Sequence, residues 1–378
     1  MRKVYKIQAV VSQQGMGAVA EVHSMTEILK KRLLPMLLVF VILTAASMAF
    51  AKPTPPGHEI KIMTQNLYLG TDMLPIITAS SFPQLLGAIS SRWAQAQQTD
   101  FPARAELIAD EIANEMPDLV ALQECVTWRT GPFNQPPASH IVYDYLAILQ
   151  QALAQRGLPY EVIAVENGYD VEGPGLFSTG LMDVRLSDHE VILARTDRSM
   201  IFTNAAGVNF TKYLTVPIFG GGYAELKRGY CTVDVRFHGK NCRIIATHLE
   251  PDHPLINTLQ SQEILNNPAD TDMNVIYVGD FNSPAAGGSP FTAYQQALAA
   301  GFEDAWSACN PDDAGNTFGH TENLLDAVDF TERIDFAVYK GNVVPTRAIL
   351  FGLDSAQRTP AGLWPSDHAG LITTFVVK

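Results

Sequence analysis

From residue 59 onward, short runs alternate apolar and polar side chains with the period of strands, separated by stretches with helical spacing. Residues 59–66 alternate and predict a strand. Residues 104–115, opened by Phe101-Pro102, bring Leu107, Ile108 and Ile112 to one helical face. Met116-Pro117-Asp118 ends that helix before an apolar strand at 119–123. A second amphipathic helix is predicted over 143–156, closed by Gly157 and followed by a strand at 161–165. Further strands are predicted at 190–194, 229–237, 243–248, 274–279, 334–339 and 370–377, with helices at 253–265 and 291–301. The turn at His238-Gly239-Lys240-Asn241 makes 229–248 an antiparallel hairpin, whereas strand–helix–strand units demand parallel pairing. Mixed sheets with helices outside satisfy both. The stretch 166–188, rich in Gly and acids, reads as an insertion shaping a pocket, and 283–290 as a loop.

The hydropathy changes near residue 51. Lys30-Lys31-Arg32 precedes an apolar run from Leu33, then small residues and Ala49-Phe50-Ala51, an A-x-A cleavage pattern. Residues 1–51 are therefore expected to be a signal peptide with a long n-region, Met25 giving a start of ordinary length. Residues 52–57 form an unstructured mature start and 58–378 one domain. A secreted or periplasmic protein follows, the alternative being one tethered by an uncleaved N-terminal anchor. Gly15-x-Gly17-x-x-Ala20 has dinucleotide-site spacing but no βαβ unit around it.

With 47% hydrophobic and 17% charged residues, the chain can bury a large core, which excludes disorder and coiled coil. Net charge is −13; residues 1–51 hold six basic and two acidic groups, leaving 20 basic against 37 acidic beyond them. That balance argues against a broad phosphate-binding surface. Cysteines 125, 231, 242 and 309 form no C-x-x-C or zinc pattern. Cys231 and Cys242 flank the hairpin out of register, so free thiols are expected.

Candidate chemistry gathers where apolar runs meet polar residues: Asn66, Glu124, Arg228, His248, Asp280, Asn282, Asp335 and Ser366-Asp367-His368. Each alone has a plain structural explanation: a surface ion pair, a core histidine, a turn former. Their joint occurrence in this order does not.

Met63-Thr64-Gln65-Asn66, Gln123-Glu124 after Pro117-Asp118-Leu119, Thr247-His248-Leu249, Gly279-Asp280-Phe281-Asn282, Arg333-Ile334-Asp335-Phe336 and Ser366-Asp367-His368 resemble the endonuclease/exonuclease/phosphatase superfamily. The resemblance runs from about residue 59 to 377. It implies a four-layer α/β sandwich: two mixed β-sheets packed face to face, with helices on both outer faces. It implies Mg²⁺-dependent (alternatively Mn²⁺-dependent) hydrolysis of a phosphate ester by in-line attack of water. A second copy, Ser187-Asp188-His189, lies outside the family's motif order and is expected to be inert.

Under that resemblance, Mg²⁺ needs oxygen ligands: Glu124 is the principal one, Asn66 supplies a neutral oxygen or holds a metal-bound water, and Asp367 faces the metal side. His368, oriented by Asp335, takes the proton of the attacking water. His248 and Arg228 donate to the phosphoryl oxygens, and Asp280 with Asn282 holds the water and a phosphoryl oxygen. Basic groove-reading loops are absent, so a lipid head group or other small phosphodiester ranks ahead of nucleic acid. Transient membrane contact would involve the apolar stretch 216–223. A secreted deoxyribonuclease-like enzyme and an inactive binding module on the same fold are the alternatives, and no obligate protein partner is implied.

Overall fold

The computed structural model describes residues 59–219, 222–327 and 329–378; the leader, its cleavage site and segment 52–57 lie outside the described residues. In chain order the strands are β1 (Glu59–Asn66), β2 (Leu119–Gln123), β3 (Thr127–Pro132), β4 (His140–Asp144), β5 (Tyr160–Phe177), β6 (Gly180–Arg195), β7 (Ile201–Asn209) and β8 (Leu214–Ile218). They continue as β9 (Gly222–Leu226), β10 (Gly229–Phe237), β11 (Lys240–His248), β12 (Asn274–Asp280), β13 (Glu303–Asp304), β14 (Asp335–Lys340), β15 (Val343–Phe351) and β16 (Gly370–Val377). The helices are α1 (Leu74–Ile77), α2 (Phe82–Gln98), α3 (Phe101–Glu115), α4 (Tyr145–Gln155), α5 (Pro254–Asn266), α6 (Ala293–Ala299) and α7 (Ala305–Cys309). None of the described helices is long and apolar enough to cross a membrane.

One sheet runs β15-β16-β1-β2-β6-β3-β4, with β5 paired to β6; the other runs β13-β14-β12-β11-β10-β7; β8 and β9 form a separate ribbon. Both large sheets are mixed: β1 pairs parallel to β2 and antiparallel to β16, and β11 pairs parallel to β12 but antiparallel to β10. The two-residue strand period divides each central strand between two apolar layers. On β2, Leu119 and Ala121 face the other sheet while Val120 and Leu122 pack on Ile108 and Ile112 of α3. On β12, Ile276 and Val278 face the first sheet, and Val275 and Tyr277 pack with Ile264 of α5. Burial on both faces explains the near-continuous apolar runs in these strands. The order is helices, sheet, sheet, helices: the expected four-layer α/β sandwich.

Strands β3, β4, β7, β8, β9 and β15 and the short helices α1 and α7 were not predicted, and two longer segments also depart from expectation. Residues 166–188 are not a loop insertion; they are the body of the 160–195 hairpin of β5 and β6, whose outer half exposes alternate residues. Solvent takes Asp170 and Glu172, whereas Glu166, Asp183 and Asp188 are buried, and this mixture masks the strand period. The second departure is α2, a 17-residue helix that the sequence reading left out. Ser81 caps it and Pro83 opens it, but Gly87 and Ser90-Ser91 dilute its apolar pattern. Ser90 Oγ accepts from Leu176 N and donates to Leu176 O, tying α2 to the tip of the hairpin. All four cysteines are unpaired; Cys231 stands opposite Ala246 and Cys242 opposite Val235.

At Gly279, φ is +135° and a Cβ would stand 2.1 Å from the Thr247 carbonyl oxygen of the neighbouring strand. Gly279→Ala should therefore cost about 3 kcal/mol, combining backbone strain and overpacking. Urea unfolding measures it, and a loss below about 0.5 kcal/mol would contradict this account of the β11–β12 approach.

Candidate active site

Eight strands pass one edge of the sandwich. β1, β2, β11 and β12 arrive there with their C-terminal ends, which place Asn66, Glu124, His248 and Asp280. β10, β14 and β16 run the other way, so the same edge receives the start of each: Arg228, Asp335 and Asp367-His368. β6 crosses it at Glu190, beside the Val191–Leu122 pair.

The two sheets meet through side chains at this edge. Asn66 is fully buried; its Nδ2 donates to Glu124 Oε1 and to Asp280 Oδ2, both at 3.1 Å, and its Oδ1 accepts from Tyr68 N. With its oxygen turned to the backbone, Asn66 positions two carboxylates. Glu124 follows β2 in a left-handed turn (φ +52°), and its Oε2 accepts from Leu69 N at 2.6 Å. Such backbone is costly for a non-glycine residue, and here it turns the carboxylate out of the strand.

His368 Nδ1 lies 2.8 Å from Asp335 Oδ2, and both side chains are buried. The other ring nitrogen faces acids, with Asp280 Oδ2 at 3.8 Å and Asp367 Oδ1 at 4.0 Å. Burial opposes protonation of His368, but Asp335, Asp367 and Asp280 outweigh it and hold its pKa well above the ordinary imidazole value. Asp280 is pushed up to about 7 by burial first and by the Asp335 carboxylate next. Asp367 rises to about 6, chiefly through burial. His248 bridges Glu190 Oε1 (3.5 Å) and Asp280 Oδ2 (3.4 Å); burial, then the Arg228 and His368 charges, drive its pKa down, so the ring is neutral. Asn282, at φ +46°, donates its backbone N–H to Asp280 Oδ1 and its amide nitrogen to Leu249 O. It thus fixes the Asp280 carboxylate as a turn residue as well as facing the cavity.

Arg228 is half-buried among acids; burial works against its charge, but Glu250, Tyr169, Asp188 and Glu124 raise its pKa. One of its buried terminal nitrogens has no partner among the described residues. The Ser187-Asp188-His189 copy holds no His–Asp pair: Asp188 Oδ1 accepts the backbone N–H of His189, and Ser187 Oγ accepts from Arg129. Asp188 nevertheless joins the site floor, close enough to Glu190 and His248 for the three to share one ion, as Asp280, Asp335 and His368 also are.

Sequence reasoning missed Glu190 and Glu166, and with them the partner of His248. A signal existed: Glu190 opens the apolar run Val191-Ile192-Leu193-Ala194. It also missed Arg104, a fully buried residue of α3. Its guanidinium donates to the carbonyls of Leu67, Tyr68, Thr99 and Pro365, clamping the loops that carry Glu124's partner Leu69 and the Ser366-Asp367-His368 segment.

A family model described as "Endonuclease/Exonuclease/phosphatase family" matches residues 63–368. Among solved structures, an endonuclease/exonuclease/phosphatase family protein from Bacteroides thetaiotaomicron superposes with TM-score 0.52 at 17% identity, covering 86% of this chain and 100% of that one. A mannosyl-6-phosphatase from the same organism gives TM-score 0.51 at 18% identity, covering 84% and 99%. An endonuclease/exonuclease/phosphatase from Beutenbergia cavernae gives 0.50 at 19%, covering 85% and 72%. No curated protein matches the sequence.

The acidic floor makes stability depend on pH. Burial raises Glu166 from 4.5 to about 8 and Asp188 from 3.8 to about 7, so the folded state keeps protons the unfolded chain has released. A raised folded pKa gives stability that is complete below the unfolded value and lost as pH rises through the folded one. His248 has the opposite sign, its contribution complete once pH exceeds its ordinary 6.5. Metal-free protein should therefore lose stability between about pH 6.5 and 8.5, and Glu166→Gln should flatten that slope. Urea midpoints across the range check it; a rise in stability would contradict it.

Proposed function

The chain belongs to the endonuclease/exonuclease/phosphatase family and is a metal-dependent hydrolase of phosphoric ester bonds; on that premise we propose that it cleaves a small phosphodiester with water activated by His368. The observation carrying this reading is the His368–Asp335 pair at 2.8 Å, opening into the same cavity as Glu124, Asp280, His248 and Arg228.

The residues fit a divalent ion of the Mg²⁺ type. Glu124 and Asp367 offer oxygen donors beside Asp280; burial first, and then neighbouring carboxylates (Asp335 for Asp280, Glu124 for Asp367), raise the two aspartates, and a cation would offset both costs. Glu124 belongs to neither close-packed acid–histidine group. We place the ion with Glu124 and Asp367 because Asp335 is already committed to the His368 ring. When bound, the ion supplies positive charge that stabilises the phosphoryl oxygens and offsets the acidic field around His368.

His368 takes the proton of the attacking water at Nε2, while Asp335 fixes the ring through Nδ1 and stabilises the imidazolium formed. The Asp280 carboxylate, aimed by Asn66 and by the Asn282 backbone, orients the water. Neutral His248 and the free Arg228 N–H groups donate to the phosphoryl oxygens as charge accumulates there. The acidic balance of the chain beyond residue 51 supports a small phosphodiester over duplex nucleic acid, and the leader pattern supports export.

Hydrolysis of bis-p-nitrophenyl phosphate that needs Mg²⁺ and stops with chelator supports the reading over an inactive binding module; no turnover with any divalent ion would refute it. Glu124→Gln should lose most activity and require more metal, since shape is kept and the charge removed. His368→Ala should lose about 10²–10⁴-fold in turnover, and His189→Ala less than about tenfold, or 1.4 kcal/mol. Asp335→Asn should slow turnover and shift the acidic limb of the pH–rate profile to lower pH, because the carboxylate that raises His368 is gone. An unmoved limb would remove Asp335 from the mechanism.

A further inference from the structure

The catalytic side chains occupy one end of a single cavity of about 740 Å³. Its other end has a different character. There the walls are Leu74 of α1, Ile89 and Trp93 of α2, Leu186 of β6, and Ile218 with Phe219 of the β8–β9 ribbon. Nothing in the hydrolytic chemistry calls for these groups. Ile89, Trp93 and Leu186 belong to the buried apolar layer between the helices and the first sheet, and Leu74, Ile218 and Phe219 extend it outward from α1 and the separate ribbon.

Fifteen large hydrophobic side chains are exposed among the described residues, and five of them (Leu74, Phe82, Ile218, Phe219, Tyr223) belong to α1, the start of α2 and the ribbon. The ring centroids of Phe82 and Phe219 are 6.2 Å apart, so helix and ribbon approach each other through aromatic contact. Deeper in, Ile89 and Trp93 are only 6% and 5% exposed, which makes the inner wall a packed surface. A concentration of apolar surface this large, continuous with a reactive site, marks a ligand subsite.

The charge of the cavity selects the ligand. Nine carboxylates line it against two arginines, and of those Arg92 is paired with Glu322 at 2.7 Å. A polynucleotide would bring successive phosphates against that acidic lining with no basic track to receive them. A molecule with one phosphate and an uncharged apolar tail meets both ends of the cavity on favourable terms.

We propose that the apolar end of the cavity binds a hydrocarbon chain, making the substrate an amphiphilic phosphoester whose head is cleaved while its tail lies between α2 and the β8–β9 ribbon. The proposal rests on the phosphoesterase reading above and specifies its substrate class.

The test is a series of p-nitrophenyl alkyl phosphodiesters, methyl through octyl, assayed below their micelle concentrations with Mg²⁺. Each buried methylene is worth about 0.8 kcal/mol, or roughly fourfold in affinity, so KM should fall at least ~100-fold from methyl to octyl. The double variant Leu74→Ser/Phe219→Ser replaces two exposed wall residues. It should remove at least ~10-fold of the octyl advantage and leave methyl-ester kinetics unchanged. Equal kcat/KM along the series, with the methyl ester turned over, overturns the chain site and leaves the phosphoesterase reading intact. If no ester is cleaved, that reading fails, and the site is decided by binding: 11-bromoundecyl phosphate should quench Trp93 and Trp128, both in the cavity wall, and absent quenching overturns the proposal. The octyl ester offered as monomer or in phosphatidylcholine vesicles separates a free amphiphile from a membrane lipid as source; faster turnover of either supports the chain site.

Discussion

The apolar layer between the two sheets fixes the distances in the site. Ile62 of β1, Ala121 of β2, Ala246 of β11 and Val278 of β12 lie in that layer, two to four residues before the polar ends of their strands. Close packing there leaves no freedom to slide one sheet over the other without opening voids or clashes. Polar contacts therefore join the sheets at defined separations, among them Asn66 to Asp280 at 3.1 Å, His368 to Asp335 at 2.8 Å and His248 to Glu190 at 3.5 Å. The chemistry depends on hydrogen bonds, but their geometry comes from hydrocarbon packing several residues away.

The same edge concentrates like charge. Asp188, Glu166, Asp280 and Asp367 all sit above their ordinary pKa values, and burial is the leading cause for each. A fold selected for stability alone has no reason to bury these acids around one arginine and two histidines. The arrangement makes sense for a site that receives a cation together with an anionic ligand, each offsetting the cost of the other.

The central strands and the hairpin over 229–248 were legible because strands buried on both faces leave strong apolar runs between turn signals, whereas the four-layer order came from the family resemblance. The site residues were legible for the same reason: Asn66, His248 and Asp280 each end such a run, and a polar group there is conspicuous. What escaped lay where solvent or tertiary contact overrides pattern. The outer half of β5–β6 faces water on alternate positions, so 166–188 read as a loop. Glu190 was overlooked because it stands at the edge where β6 enters the core instead of ending a run. Arg104 sits in the first turn of α3 and looks like any exposed base until the loops it clamps are seen in space. Asn66 ends β1 as its sequence pattern suggests, and only the hydrogen-bond partners of its amide show that it aims carboxylates.

The central claim is that charge at this edge is organised around an ion held by Glu124 and Asp367, with the His368–Asp335 pair left free to move a proton. Anomalous diffraction from crystals soaked in Mn²⁺ tests it most directly. The account predicts a peak within coordination distance of the Glu124 and Asp367 carboxylates, lost in Glu124→Gln. A peak confined to the Asp188–Glu190–His248 group, with nothing beside Glu124, would contradict it.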